Sequence, residues 1–405
     1  MRSAKGAGRR FARPEQKEAP VTEKPQPTIT FTIPCYNSAD YLDACVESLI
    51  PAGNDIEIIL VNDGSTKDNT SEKIHAWERR LPGIVRAIDQ ENKGHGGAVN
   101  TGLAAATGIY FKVVDSDDWL DADALPKLMT ELRIRAARPN PTDMVVANYI
   151  YDKVHEGTKT VIDYRSVFPQ GREFGWGEVG RFRQGQFILM HAVVYRTQLL
   201  RDCGIRLPEH TFYVDNIFVY VPMVQVKTIE YLDLDLYHYF IGREDQSVNE
   251  SVMMGRIDQQ LRITRVMIDS VKLPDPKLDP HLQSYLVKYL AMMMCICSVF
   301  LRMINTPEAE EKRREIWAYL ERQRPEVYPS IRRNVLNLGT NDDSYATKDL
   351  ETRGAEYQAG YEDFLKQIRK NNPDAAIICT LGIMGCEELY PYIEKAVEAV
   401  GDKNI

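Results

Sequence analysis

The sequence lacks several features that would place a 405-residue chain in other classes of protein. No apolar run reaches the roughly 18 residues that cross a bilayer, and the most apolar stretch, YLAMMMCICSVFL (289–301), predicts a buried helix. The first residues have no apolar centre, so we expect no secretory signal. A net charge of -8 lacks the basic excess of a nucleic-acid binder, so we expect no nucleic-acid partner.

Cysteine is scarce, with seven residues in all, an odd number that lie mostly inside apolar stretches. This pattern is not that of a disulfide framework, and it indicates a reduced, cytoplasmic protein with thiols in its core. Cys295 and Cys297 lack the spacing of a zinc site.

Residues 1–27 lack apolar patterning and are rich in proline, lysine and glutamate, which predicts a disordered basic tail. The alternative function of this tail is attraction to anionic lipid, at about 1 kcal/mol for each basic residue near the surface. That attraction would give a peripheral association with the inner face of the membrane.

From residue 28 onward, short apolar runs alternate with amphipathic segments. This alternation predicts an α/β fold with a doubly wound, mostly parallel sheet, in which ligands bind beyond the carboxyl ends of the strands. The strand signal ends near residue 250. We therefore predict a sheet domain over 28–250 and a C-terminal helical region over 251–405, packed on the sheet domain or extending from it. The clearest predicted strands are TITFTIP (28–34), IEIILVN (56–62), IVRAID (84–89) and GIYFKVVD (108–115).

The segment KVVDSDDWLDADA (112–124) crowds carboxylates at the end of a predicted strand. Side chains two residues apart in a strand point the same way, so Asp115 and Asp117 are expected to face one site about 7 Å apart. Their repulsion is about 2 kcal/mol at an effective dielectric near 20. Mg²⁺ or Mn²⁺ would relieve it, because these cations take carboxylates together with substrate phosphates. The alternative is a solvated acidic turn in which Asp118 or Asp121 caps the next helix.

Four segments in this order resemble the family 2 glycosyltransferases, which have the GT-A fold: FTIPCYNSADYLDACVESL, ILVNDGSTKDNT, QENKGHGGAVNTGLAAATG and KVVDSDDWL. A looser resemblance continues from YVDNIF to IGREDQSVN near residue 250. It implies that 28–250 is a catalytic domain that binds a nucleotide-sugar, usually a UDP-sugar, through a divalent metal. It also implies an inverting transfer to a glycan, a teichoic acid or a lipid-linked acceptor in bacterial cell-surface polysaccharide assembly.

The resemblance also implies the donor-binding residues. Asp63 resembles the carboxylate that reads the uracil ring, and the alternative is an Asx turn before a helix. Asp117 matches the direct metal ligand, while Asp115 contacts the ribose or sugar and is the second candidate metal ligand. The glycine-rich segment permits close backbone approach and opens a helix whose amide end favours an anion. The other expected donor-binding residues are Pro34, Tyr36, Asn37, Lys93, Gly96, Asn100 and Arg243.

On the acceptor side, Asp215 is the expected general base, because partial burial would raise its pKa and improve it as a base. Many family members have Glu-Asp here, whereas this chain has Val214-Asp215, and the alternative is a helix cap. Trp176 and Arg181 lie in a glycine-rich loop that suits sugar stacking and an anionic acceptor, or else a surface loop with packing aromatics. His191 is an acceptor contact or a core histidine.

Other functions fit less well. A nucleotide-binding oxidoreductase needs a glycine-rich turn after the first strand, and PCYNSAD has no glycine. A sugar-1-phosphate nucleotidyltransferase also normally uses such a loop; it stays as an alternative, as does a non-catalytic carbohydrate-binding or scaffold protein on the same fold. Processive synthases have transmembrane helices and a Gln-x-x-Arg-Trp element, which this sequence lacks. The C-terminal helices could form a homo-oligomer, hold the acceptor or touch the membrane.

Overall fold

A computed structural model of the protein describes residues 25–183, 185–242, 250–336, 350–371 and 390–401. Within these ranges, short β-branched and aromatic runs form ten strands of one sheet. The strands are β1 (Ile29–Cys35), β2 (Ile56–Asp63), β3 (Val85–Gln90), β4 (Tyr110–Val113), β5 (Trp119–Leu120), β6 (Met144–Lys153), β7 (Thr158–Ile162), β8 (Glu173–Phe174), β9 (Val193–Arg196) and β10 (Ile229–Ile241).

The sheet has the order β3-β2-β1-β4-β9-β6-β10-β5, with β7 beside β6 and β8 beside β10. The first four strands in this order are parallel, as the alternating pattern predicts. β9 runs antiparallel to both β4 and β6, which makes the whole sheet mixed, while β10 again runs parallel to β6. The α/β fold with a C-terminal helical region is therefore confirmed.

Helices cover the sheet and continue beyond it. Along α1, apolar residues recur at helical spacing, so Leu42, Val46 and Leu49 are buried on one face. The helices up to residue 336 are α1 (Ala39–Leu49), α2 (Thr70–Arg80), α3 (Gly94–Ala105), α4 (Ala124–Ala136), α5 (Thr197–Asp202), α6 (Asp215–Tyr220), α7 (Glu250–Gly255), α8 (Ile257–Ser270), α9 (Pro280–Ile304), α10 (Pro307–Gln323) and α11 (Tyr328–Leu336). Two further helices span Leu350–Asn371 and Tyr390–Val400.

The helix predicted at 289–301 forms the second half of α9. This helix begins after Asp279, whose carboxylate accepts a hydrogen bond from the His281 N–H at 2.8 Å, and it packs against α8, α10 and α11. Its buried face includes Met293 and Cys297, so the prediction of a buried helix is confirmed. By length and composition alone α9 could cross a membrane, with a mean hydropathy of 1.8, and 44% of that apolar window is buried inside the protein.

The buried side chains form one continuous cluster that extends from β1 to α11. The C-terminal helices up to α11 therefore pack on the sheet domain, which is one of the two arrangements that the sequence left open. The expected boundary near residue 250 stays a prediction, since 243–249 lie outside the described residues, as does most of the predicted tail at 1–27.

A buried ion pair joins helix α4 to the sheet and generates a stability prediction. The guanidinium of Arg135 pairs with the carboxylate of Glu230 on β10, and their side chains are 4% and 6% exposed. Arg135→Ala would leave Glu230 buried without a counter-charge, so we expect a loss of about 3–5 kcal/mol in the free energy of unfolding. Urea denaturation measures this loss.

Arg133→Ala is the matched control on the same helix, because Arg133 pairs with Asp55 in a contact whose side chains are 42% and 40% exposed. An exposed pair contributes at most about 1 kcal/mol. Equal losses in the two variants would contradict the importance of the buried pair.

Candidate functional site

The carboxylates that follow β4 lie on a turn. The N–H of Asp118 donates to the carbonyl of Asp115 at 3.0 Å, so residues 115–118 are not extended. The strand geometry assumed for Asp115 and Asp117 is therefore wrong, because a turn brings residues three apart together. That both side chains face one site stays a prediction. Asp115, Asp118 and His191 each present a ligand atom within 4.8 Å of one another, a spacing that could hold a metal ion. Asp117 is not a member of this group, and its role as a metal ligand stays a prediction.

Asp118 is fixed in the wall of the site. It is 1% exposed, and its carboxylate accepts hydrogen bonds from the Tyr237 hydroxyl at 2.5 Å and from the Phe240 N–H at 2.8 Å. Burial, together with the charges of Asp117 and Asp115, raises the pKa of Asp118 well above the usual range of a carboxyl. Asp118 thus does not cap the following helix.

Helix α4 is instead capped by Asp121, the second residue that the sequence offered for this role. Its Oδ1 accepts hydrogen bonds from the N–H groups of Asp123 at 3.0 Å and Ala124 at 2.8 Å.

Two imidazoles face Asp115. The Nε2 atom of His95, on α3, lies 2.8 Å from one carboxylate oxygen, and the Nε2 atom of His191 lies 3.8 Å from the other. Burial favours the neutral carboxyl, but the two histidines outweigh it and hold the pKa of Asp115 well below its usual range. The pKa of His95 is raised, because the attraction of Asp115 outweighs the effect of burial.

His191 lies in a 3₁₀ turn, Met190–Ala192, rather than in the predicted strand. It is 8% exposed and stacks on Tyr239, with ring centroids 4.7 Å apart. Its Nδ1 has no hydrogen-bond partner among the described residues. His191 is therefore a buried residue that lies beside the carboxylates, and its contact with the acceptor stays a prediction.

Sequence reasoning missed the role of Lys112. This lysine on β4 is fully buried below the carboxylates, and its Nζ donates to the backbone carbonyls of His191 at 2.7 Å and Val193 at 3.3 Å. Burial lowers the pKa of Lys112 to about 7, although Asp115 and Asp118 oppose the shift. A lysine in the middle of an apolar strand was the available signal.

Asp215 begins helix α6 and is partly exposed. Burial raises its pKa, the histidines His191 and His95 lower it, and the charge of Asp115 raises it. The net shift is upward, as the sequence argument predicts for a general base. The pKa of Asp215 thus responds to the charges of His191, His95 and Asp115, as expected of neighbouring side chains.

Asp63 ends β2, which is separated from β4 by β1 in the sheet, and it is 2% exposed. Its Oδ1 accepts hydrogen bonds from the side chain of Gln90 at 2.7 Å and from the N–H of Lys93 at 2.8 Å. The Asx turn weighed for Asp63 belongs to Asn62, whose Oδ1 accepts from the N–H of Ser65 at 3.1 Å. One oxygen of Asp63 thus orders the loop before α3, and a contact with the nucleotide stays a prediction.

Three of the expected donor-binding residues lie at the end of β1 and just after it. Pro34 is buried in β1 opposite Val61, and Tyr36 is 51% exposed. Asn37 has φ +48°, and its side-chain oxygen accepts from the N–H groups of Thr66 and Lys67, each at 3.0 Å. The donor-binding roles of Pro34, Tyr36, Asn37 and Lys93 stay predictions.

Gly96 and Asn100, two of the expected donor-binding residues, lie against residues 207–208. A Cβ on Gly96 would lie 2.5 Å from the carbonyl oxygen of Pro208, so the close approach that glycine permits is to this backbone. The amide of Asn100 donates to the Leu207 carbonyl at 2.8 Å and accepts from the Leu207 N–H at 2.9 Å. Both residues therefore seat residues 207–208 on α3, and their contact with the donor stays a prediction.

The expected sugar-stacking loop is partly packed away. Trp176 is 5% exposed and stacks on Tyr285 of α9 at 6.2 Å, which is the packing alternative rather than an open platform. Arg181 is exposed on this loop. Arg243 lies outside the described residues.

Comparison with known proteins identifies the family of this chain. Residues 30–198 match the family described as Glycosyl transferase family 2. The uncharacterized glycosyltransferase EpsJ of Bacillus subtilis is 37% identical over 248 residues, which cover 58% of this chain and 67% of EpsJ. The chain belongs to glycosyltransferase family 2.

Other relatives align with smaller parts of their own length. The putative glycosyltransferase EpsH of Bacillus subtilis is 28% identical over 225 residues, covering 53% of this family 2 chain and 61% of EpsH. Chondroitin synthase of Escherichia coli is 37% identical over 124 residues, covering 30% of this chain and 18% of the synthase. The chain thus spans less than two thirds of these two relatives.

A solved structure has the same fold. S. aureus TarS 1-349, in complex with UDP-GlcNAc, is 18% identical with a TM-score of 0.54, and the match covers 75% of this glycosyltransferase and 83% of the TarS chain. This likeness confirms the GT-A fold.

The contact between His95 and Asp115 predicts a pH dependence of stability. Because folding raises the pKa of His95, its contribution is fully present below the unfolded value of about 6.5 and is lost as the pH rises through the folded pKa. We therefore expect His95→Gln to flatten the decline in the free energy of unfolding above about pH 6.5. Urea denaturation at a series of pH values measures this slope, and an unchanged slope in the variant would contradict the pairing.

Proposed function

We propose that this protein is an inverting glycosyltransferase that moves a sugar from a nucleotide-sugar, a UDP-sugar in the simplest case, to an acceptor hydroxyl. The acceptor would be a glycan, a teichoic acid or a lipid-linked sugar. The observation that carries the proposal is the group formed by Asp115, Asp118 and His191 after β4, whose ligand atoms lie within 4.8 Å of one another. The charges of His191 and Asp115 also shift the pKa of Asp215, which supports a place for the proposed base beside this group. The UDP-GlcNAc complex of TarS supports a UDP-sugar as the donor.

The ligand atoms of Asp115, Asp118 and His191 fit a divalent cation. The two carboxylates of Asp115 and Asp118 suit Mg²⁺ or Mn²⁺, and the imidazole of His191 favours the transition metal of the two. Burial, followed by the negative charges of Asp117 and Asp115, raises the pKa of Asp118, and a bound cation would favour its ionised form. Asp117, the residue beside Asp118, remains the ligand that the family motif implies. When bound, the cation would stabilise the negative charge of the departing diphosphate.

Asp215 would act as the general base. Its carboxylate accepts the proton of the acceptor hydroxyl as that oxygen forms a bond to the anomeric carbon. The bond between the anomeric carbon and the diphosphate breaks on the opposite face, so the configuration of the sugar inverts. The raised pKa of Asp215 strengthens it as a base, while the two nearby histidines favour its ionised form.

Membership of the family favours sugar transfer over the nucleotidyltransferase and scaffold alternatives. We also propose a cytoplasmic location, at the inner face of the membrane if the acceptor is lipid-linked. The described cysteines Cys35, Cys45, Cys203, Cys295 and Cys297 are free thiols, which supports a reducing compartment.

Removal of a proposed metal ligand tests the donor site. We expect Asp115→Asn to lower the Mn²⁺-dependent affinity for UDP at least about tenfold, because it removes both a ligand and a charge. Asp117→Asn should have the same effect if the family motif applies. Isothermal titration calorimetry with UDP, with and without Mn²⁺, measures the affinity.

Asp121→Asn is the matched control, since Asp121 lies in the same acidic segment but caps helix α4. An Asp115→Asn variant that keeps the full effect of Mn²⁺ on UDP binding would rule out this metal site.

Replacement of the proposed base tests the chemical step. Asp215→Asn keeps the shape of the side chain but cannot accept the proton, so transfer should fall about 10²- to 10⁴-fold while UDP binding is retained. The measurements are the rate of UDP release with acceptor present and the anomeric configuration of the product by NMR. Unchanged transfer would reject Asp215 as the base, and a retained configuration would reject inversion.

A further inference from the structure

The segment Leu207–Val214, here called the base segment, leads directly into Asp215. It has contacts on two sides, one with α3 of the sheet domain and one with the C-terminal helical region. We propose that helix α8 acts as a clamp on the base segment, with Gln259 and Arg262 as positioning residues for the transfer reaction. This inference rests on the proposed role of Asp215 as general base.

The base segment has an unfavourable backbone conformation. His210 has φ +50° and Tyr213 has φ +65°, although neither is a glycine. Bulky residues rarely adopt the left-handed region, and they keep it only where surrounding contacts hold them there. Such strained positions cluster at functional sites, so the contacts that hold this segment have functional weight.

Helix α8 supplies contacts to the three residues around this strain. The side-chain oxygen of Gln259 accepts a hydrogen bond from the Phe212 N–H at 2.8 Å. The guanidinium of Arg262 donates to the Thr211 hydroxyl at 2.7 Å and to the Glu209 carbonyl at 3.4 Å. The bonds to Thr211 and Phe212 fall between the two left-handed residues, and the bond to Glu209 lies just before them, so together they oppose relaxation of the backbone.

The side chain of Phe212 is 40% exposed, so burial alone does not hold it in place. The guanidinium of Arg256, just before α8, lies 3.6 Å from the ring centroid and packs over it. Helix α9 adds a contact on the other side of Asp215, where the Tyr289 hydroxyl donates to the side chain of Asn216 at 3.1 Å.

The sheet domain contacts the base segment from the other side. The carbonyl of Lys93 accepts a hydrogen bond from the His210 N–H at 2.7 Å, and a Cβ on Gly94 would lie 3.0 Å from the His210 backbone. The N–H of the same Lys93 donates to Asp63. The base segment is thus held between the proposed nucleotide side of the site and α8.

The clamp matters because general-base catalysis depends on position. A displacement of about 1 Å in a catalytic group can lower the rate about 100-fold. Both α8 and the base segment lie beyond the family-matched residues 30–198. The C-terminal helical region therefore sets the geometry of the proposed base.

The test compares Gln259→Ala and Arg262→Ala with a control on the same helix. Arg265→Ala is the control, because Arg265 lies near Glu315 of α10 at 3.7 Å and over the ring of Tyr319. The probes are UDP with Mn²⁺ for binding, and UDP release from a panel of UDP-hexoses for turnover. Hydrogen–deuterium exchange reports on the base segment without any need for activity.

We expect faster exchange at residues 209–213 in both α8 variants, with the largest change at the Phe212 amide in Gln259→Ala. The kcat for UDP release should fall about 10- to 100-fold while KM for the UDP-hexose and the affinity for UDP stay unchanged. Arg262→Lys, which can still donate to Thr211, should recover part of the rate. Arg265→Ala should match the wild type in exchange and rate.

Unchanged exchange in the α8 variants would overturn the clamp, and faster exchange with an unchanged kcat would overturn the positioning role. A wild-type rate in Asp215→Asn would instead reject the proposed base. If the wild type releases no UDP from any donor in the panel, the proposed function fails and the exchange result alone decides whether the clamp exists.

Discussion

Negative charge gathered where β4 ends has to be balanced, and the groups that balance it shape the site. Asp115 and Asp118 approach each other across a turn, with His95 and His191 facing Asp115 and Lys112 buried below. One carboxyl therefore has a strongly lowered pKa and its neighbour a strongly raised one. A cation held by these carboxylates would also balance the charge of a diphosphate, which is why the metal is central to the proposed transfer.

The same charges extend to the acceptor side through the histidines. His191 and His95 influence Asp215 as well as Asp115, so the proposed base and metal site share one electrostatic environment. Backbone contacts link the two sides too, because Lys93 joins Asp63 to the base segment, which α8 holds from the other direction. Donor binding, base position and the C-terminal helices thus form one connected structure.

Sequence reasoning succeeded where local pattern decides the structure. The β-branched and aromatic runs of β1, β2 and β4, and the position of acids at the ends of β2 and β4, follow from residue type and spacing. It did not find contacts between residues distant in the chain: Trp176 is covered by Tyr285 of α9, and Gly96 lies against Pro208. Spacing shows that a glycine permits close approach, but not what approaches. The turn at 115–118 was missed because strand geometry was extended to Asp117, four residues past the end of β4 at Val113.

The central claim is that the acids after β4 hold a cation that bridges the protein to a nucleotide diphosphate. A crystal structure with UDP and Mn²⁺, with anomalous diffraction recorded to locate the manganese, tests this most directly. We expect an anomalous peak within bonding distance of Asp115 and of the diphosphate oxygens, with Asp215 on the open side of the site. A peak remote from Asp115, or UDP bound with those acids facing bulk solvent, would contradict it.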